Sequence, residues 1–564
     1  MKQTHEGDGL PLAHMLRGYR WQTLRQDLGA GLTVGMIAVP LSMALAIGTG
    51  VPPQYGLYTA VVAGFVIALC GGSRFNVSGP TAAFVVVLQP IVATFGFSGL
   101  LMASFLAGMV LVVLGLLRLG RFVYWVPEPI ISGFSAGIAV VIVVAQLPDF
   151  LGVTGAASGD VVSRIGHVVA QLGHVSVVDV CLGALTLAGL LLWPRWVRRL
   201  PPHVVVMGAS ALLGMAFTGL GWPPRTIASV FTYWLEGVAY AGIPSMLPTL
   251  VWPWQSEDGQ SWWAASGLWA LAPSVLAIAF LGAVESLLCA VVADGLTNTR
   301  HRPNAELVGQ GLGNMVAPFV GGFAATGALA RTAANIRAGA QTPVAAMIHA
   351  LFVLLSLLLL APWLGYLPMA SLAALLWLVA WHMANVSALR RLWRIAPVGD
   401  RWILVTCLAL TVGFGMVVGV LAAMGLALLW LWVQLWRLPA SLPSSGPMPL
   451  SESVCLDVLR GPLFFGSAQA RLGAVSQRLA VRPEVKGVVL IGVNVAFIDV
   501  TGLLALAAFV DEQQAYGRRV VLVGWSAQVR EGCQRAGLVS SERMGLYWAE
   551  DQAAALRLLT RLGA

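Results

Sequence analysis

The sequence predicts an α-helical polytopic membrane protein of about 14 transmembrane segments, followed by a small C-terminal α/β domain. Three observations predict it. Of 564 residues, 58% are hydrophobic and only 10% charged, with a mean hydropathy of +0.82; a soluble protein carries about 25% charged residues. Apolar runs then recur along most of the chain. Beyond Trp436-Arg437 the composition turns polar.

A spanning helix needs ~20 apolar residues. Candidate segments run near 30–49, 55–71, 80–95, 98–117, 127–147, 176–193, 203–220, 270–293, 306–320, 328–338, 343–361, 368–382, 402–416 and 417–437. Those near 80–95 and 328–338 are too short to cross alone. The division follows: 1–27 a polar N-terminus, 28–437 the transmembrane domain, 438–450 a Pro/Ser linker and 451–564 a soluble domain. In the last, the buried run Gly487–Val493, a helix from Thr501 to about Gln514 and the strand Arg519–Gly524 alternate as in a parallel-rich sheet.

Cations set the orientation. Arg17, Arg20 and Arg25 precede the first span, Arg195, Arg198 and Arg199 follow the sixth, Arg300, His301 and Arg302 the eighth, and Arg390, Arg391 and Arg394 the twelfth. The long segments 148–175 and 221–269 are poorer in cations and hold Asp149, Asp160, Glu236, Glu257 and Asp258. Both termini are therefore expected in the cytoplasm. The net charge of +9 is dispersed through short loops, which fits topology and not a nucleic-acid partner. The N-terminus lacks a signal peptide's apolar core. Six scattered cysteines indicate neither a disulfide framework nor a metal site, and no enzymatic constellation or cofactor motif occurs.

Two apolar segments half a chain apart are interrupted: Ser78-Gly79-Pro80-Thr81-Ala82-Ala83-Phe84 and Gly327–Asn335. Each reads as a helix starting partway through the membrane, aiming unpaired N–H groups and a positive dipole end at the bilayer's middle. Such a pair marks a transporter's anion site. Pro80 suits a first helical turn, and Gly79 permits close backbone approach. Thr81, Ala82 and Ala83 leave amides uncovered, as do Ala328, Leu329 and Ala330 in the second break. The alternative is a simple kink with close packing. Arg331 costs at least ~2.5 kcal/mol at mid-membrane, so it needs a partner, an anion gripped by its fork or Glu285, the remaining alternative being that it snorkels to the surface. Glu285, alone in an apolar helix, is a candidate proton carrier, the alternative being a static pair with Arg331. Asp294 and Glu306 read as surface charges, and His349 and His382 as packing residues with one satisfied nitrogen.

Four stretches together resemble the SulP (sulfate permease) anion-transporter family with a C-terminal STAS domain. They are Ala30–Gly35 through Val51–Tyr58, Gly71–Arg74 through Gly79–Thr81, Asn304–Asn314, and Phe497-Ile498-Asp499-Val500-Thr501-Gly502-Leu503. The resemblance implies a 7+7 inverted repeat with core and gate domains, an elevator-type mechanism, a homodimer and a bacterial inner membrane. It implies Arg331 as the anion-holding residue. Gly282–Val292 and Ala330–Asn335 are most similar to the proton-coupled C4-dicarboxylate (succinate, fumarate, aspartate) branch. Sulfate or bicarbonate transport, or an uncoupled anion channel, are the alternatives. Cys289 and Leu329, where sodium-coupled members use hydroxyls, favour protons. Leu41 and Leu45 are expected to form an apolar wall, with Ser42 as a polar contact. Thr501 stands where some STAS domains are phosphorylated, and in transporters reads as a helix N-cap.

Overall fold

The computed structural model describes residues 19–120, 125–154, 161–196, 201–235, 237–255, 262–263, 265–297, 299–436, 453–459, 461–493, 495–541 and 545–561. The predicted linker 438–450, most of the N-terminal segment, and Arg198, Arg199, Asp160, Glu236, Glu257 and Asp258 lie outside them. The chain divides into two compact units, residues 1–123 with 138–383, and 124–137 with 384–564.

The first unit opens with α1 (Trp21–Thr49) and α2 (Pro53–Cys70). Gly50 ends α1 in the left-handed conformation (φ 90°), letting its own and the next N–H close back on Ile47 and Ala46. Pro53 then starts α2 where no N–H is needed. A two-residue strand, β1 (Ser78–Gly79), leads into α3 (Ala82–Leu116). The runs predicted at 80–95 and 98–117 are this one element, interrupted at Gly96 (φ 70°). Next come α4 (Glu128–Ala145), which crosses the unit boundary, α5 (Leu147–Leu151), α6 (Val161–Ala170), α7 (Val177–Trp196), α8 (Pro202–Gly219) and α9 (Ile227–Val230). An exposed hairpin, β2 (Thr232–Leu235) with β3 (Val238–Ala241), precedes α10 (Ala265–Thr297) and α11 (Pro303–Val316).

The second break repeats the first. Strand β4 (Thr326–Gly327) leads into the short α12 (Leu329–Arg337), and α13 (Val344–Leu364) and α14 (Met369–Ala384) follow. Strands β1 and β4 pair antiparallel, Ser78 opposite Gly327 and Gly79 opposite Thr326. Small residues let the surrounding helices close on them. A Cβ on Gly108 of α3 would meet the Gly311 carbonyl of α11 at 2.7 Å, and one on Gly311 would meet the Gly108 carbonyl at 2.6 Å. Ten helices of the described residues are long and apolar enough to cross a membrane.

In the second unit, α15 (Val386–Ile395) precedes α16 (Val398–Phe414) and α17 (Met416–Trp436), which part at Gly415 (φ 89°). The soluble domain alternates β5 (Val454–Val458), α18 (Ala468–Ala480), β6 (Gly487–Ile491), α19 (Val500–Ala515), β7 (Arg519–Val523), α20 (Ala527–Arg535), β8 (Leu546–Ala549) and α21 (Gln552–Arg561). Its four strands form one parallel sheet in the order β5-β6-β7-β8. The alternation confirms the predicted parallel sheet, and β8 is a strand the sequence did not reveal. Both faces are covered, by Leu472, Leu479, Leu506 and Val510 on one side and Ala555 and Leu559 on the other. Each such buried leucine or valine contributes ~2 kcal/mol.

Candidate functional site

The β1–β4 pairing sets the geometry. It brings the starts of α3 and α12 to one place in the first unit, although they lie half a chain apart. Thr81 and Ala328 are the N-caps, both extended, and neither helix has a side-chain cap. The first-turn N–H groups of Ala82 and Ala83, and of Leu329 and Ala330, are therefore left for another acceptor. Thr81, Ala82 and Ala83 are buried, and Ala328 nearly so, whereas Leu329 is 49% exposed and Ala330 is also exposed.

Arg331 sits between the breaks, 1% exposed. Its Nη2 donates to the Pro80 carbonyl of the opposite break, and its guanidinium lies against Gly79. A Cβ on Gly79 would fall 2.7 Å from Nη1, which is why only glycine fits there. Nε and Nη1 are buried without a partner among the described residues. A buried cation with two free donors, flanked by two uncapped helix N-termini, can hold an oxyanion at low desolvation cost.

Glu285 of α10 accepts from the Thr81 hydroxyl at 3.1 Å. Among the described residues no ion pair joins it to Arg331, so the static pair weighed from the sequence is not present. The hydroxyls beside it are engaged within the protein. Ser286 bonds Thr326 at 2.7 Å, and the Cys289 thiol donates to Thr332 at 3.2 Å. No group of three or more metal-ligating side chains occurs among the described residues.

Several sequence expectations need correction. Glu306 is no surface charge: it is 1% exposed and accepts four hydrogen bonds. Asp294 is half-buried and accepts from His301, at 2.9 Å from its amide and 2.7 Å from its ring. His349 is fully buried with neither ring nitrogen at hydrogen-bonding geometry to a described residue, while His382 is exposed. Ser42, Leu41 and Leu45 are buried (0%, 7% and 1% exposed), and the Ser42 hydroxyl has no partner among the described residues. Thr501 is not the N-cap of α19. Asp499 is, through Gly502 N–H, and Thr501 instead accepts from the backbone N–H of Glu128 at 3.1 Å. Beside it, Asp400 of α16 accepts from Val500 N–H at 2.8 Å.

Asn76, Thr332, Ser286 and Thr326, which knit the breaks together, escape a reading of the sequence. Their only local signal is polarity within apolar runs.

A multi-pass helical bundle with two broken helices meeting around a buried arginine defines a membrane anion transporter. The pattern of the Sulfate permease family matches residues 24–406, and that of the STAS domain matches residues 448–553. The chain belongs to the sulfate permease family. It is 35% identical over 93% of its length, and 95% of the relative's, to YvdB of Bacillus subtilis, a sulfate transporter by assigned name. It is 28% identical to the bicarbonate transporter BicA of Picosynechococcus, over 92% of each chain. Among solved structures, the transmembrane domain of a cyanobacterial BicA is 29% identical, with a TM-score of 0.61 over 72% of this chain and 98% of that one. SLC26A9 shares the fold at 19% identity, with a TM-score of 0.67 over 98% and 93% of the two chains. YvdB is named for sulfate and BicA for bicarbonate. The expected C4-dicarboxylate branch finds no support among them.

Proposed function

We propose that this protein is a secondary active transporter of a small inorganic oxyanion, with sulfate the preferred substrate and bicarbonate second. The anion rests between the N-termini of α3 and α12, on the free Nε and Nη1 donors of Arg331. The observation that carries this reading is the β1–β4 pairing, which puts both uncapped helix starts beside one buried guanidinium. A compact dianion suits such a site, since its charge is met by one cation and two dipole ends. Glu285 carries the coupled proton, because it lies one hydrogen bond from Thr81 at the same site. Sodium is disfavoured because Leu329 and Cys289 offer no hydroxyl, and Thr326 and Thr332 are already bonded. The core moves elevator-fashion within a homodimer in a bacterial inner membrane, both termini facing the cytoplasm.

The test is uptake by reconstituted vesicles of labelled sulfate, bicarbonate and succinate, with and without an inward proton gradient. Saturable sulfate uptake that runs uphill on the gradient supports the proposal. Preferred succinate uptake refutes the substrate, and non-saturating downhill flux refutes a carrier.

A further inference from the structure

Glu306 is a buried carboxylate of the first unit's core that the transport scheme leaves unused. It lies in the first turn of α11, and both its oxygens face donors. Oε2 accepts from the N–H groups of Gly72 (2.9 Å) and Ser73 (3.0 Å). Oε1 accepts from Asn76 Nδ2 (2.6 Å) and Gln310 Nε2 (3.0 Å). Four donors fill the four lone-pair directions of a carboxylate. The isosteric amide cannot match it, since an NH2 would face two donors.

The bonds continue to the anion site. Gln310 Nε2 also donates to the Ser78 hydroxyl on β1 at 2.8 Å. The other face of Asn76, its Oδ1, accepts from Thr332 at 3.2 Å, and Thr332 is Arg331's neighbour on α12. Thr332 in turn accepts from Val77 N–H at 2.9 Å. From this lattice we infer that Glu306 is a positioning residue, which fixes the register of the two broken helices through Asn76 and so sets how Arg331 and the helix starts meet the anion.

The inference rests on the anion-site reading, and a reciprocal exchange tests it. Glu306→Gln should raise the KM for sulfate at least ~10-fold with little change in the maximal rate, because it unpairs buried donors beside the site. Adding Asn76→Asp returns the carboxylate to the pair with donor and acceptor reversed. The amide introduced at position 306 then donates to the carboxylate introduced at position 76, which still accepts from Thr332. Gln310, whose Oε1 has no partner among the described residues, can turn its amide to accept as well. The double variant should recover to within roughly threefold of the parent, a coupling that independent sites do not show, and the rise in KM without a fall in maximal rate is what a merely structural role would not give. If Glu306→Gln does not accumulate, Asn76→Asp serves as the single variant, since it sets two carboxylates against each other. A normal KM in the single variant, or a double variant no better than the single, overturns the role. Arg331→Ala is run in parallel: if its KM is strongly raised while Glu306→Gln is normal, the positioning role fails and the anion site stands; if Arg331→Ala is itself normal, the site fails.

Discussion

Replacing Arg331 separates the contributions to anion binding. Its guanidinium makes one bond within the protein, to the Pro80 carbonyl, and keeps two buried donors free among the described residues. A hydrogen bond to a charged group contributes ~1.5–3 kcal/mol, so an anion taking both gains roughly 3 kcal/mol or more. At about 1.4 kcal/mol per tenfold, Arg331→Ala should raise the KM for sulfate ~100-fold or more. Binding should not vanish, since two helix N-termini remain and each contributes up to ~1 kcal/mol. Arg331→Lys keeps the charge but loses the planar fork, and with it one of the two bonds, so its cost is ~10-fold. The assay is initial-rate uptake of labelled sulfate into proteoliposomes over a concentration series. Thermal unfolding of each variant controls for the Pro80 carbonyl left without its donor. A parental KM for Arg331→Ala would refute the argument. Equal losses for Ala and Lys would refute the fork, leaving Arg331 a strut between the breaks.

Glu285→Gln should abolish sulfate accumulation driven by a proton gradient yet keep sulfate–sulfate exchange, read in vesicles loaded with unlabelled sulfate. Gly79→Ala places a methyl 2.7 Å from Nη1 of Arg331; overpacking of this kind costs at least ~1 kcal/mol, a several-fold rise in KM that Gly208→Ala, with open space around it and no left-handed backbone, should not share. In the STAS domain, burial and the neighbouring Asp400 carboxylate push Asp499 up to about 7. A folded value above the unfolded one stabilises fully below the ordinary carboxyl range and fades as pH rises through about 7. The domain's unfolding temperature should therefore fall between about pH 5 and pH 8, and Asp400→Asn should flatten that slope; a slope of opposite sign would overturn it. Thr501→Glu should loosen the contact with Glu128, whose N–H the Thr501 hydroxyl accepts, and the loss should show as faster proteolysis after residue 437.

What the sequence disclosed of this protein is what a few adjacent residues decide. Gly79-Pro80-Thr81 and Ala328 to Arg331 announce broken helices because glycine, proline and uncovered amides act where they stand. The alternation of strands and helices after residue 451 likewise announces its parallel sheet. What stayed hidden depends on partners far along the chain. Glu306 looks like a solvated first-turn acid because its polarity fits the start of α11, and its donors at Gly72, Ser73 and Asn76 lie 230 to 234 residues away. Arg331's partner is the Pro80 carbonyl, 251 residues earlier, and a backbone oxygen leaves no mark in a sequence. At Leu41 and Leu45 the sequence cannot separate packing from cavity lining, because the two have the same apolar composition. Thr501 resembles a cap, but Asp499, two positions earlier, satisfies the same geometry better, its carboxylate reaching both Gly502 and Phe465 N–H. The division is physical. Helix starts are written locally, whereas the two-residue ladder joining β1 to β4 exists only once the halves fold together, and that ladder brings two ordinary helix ends to one buried guanidinium.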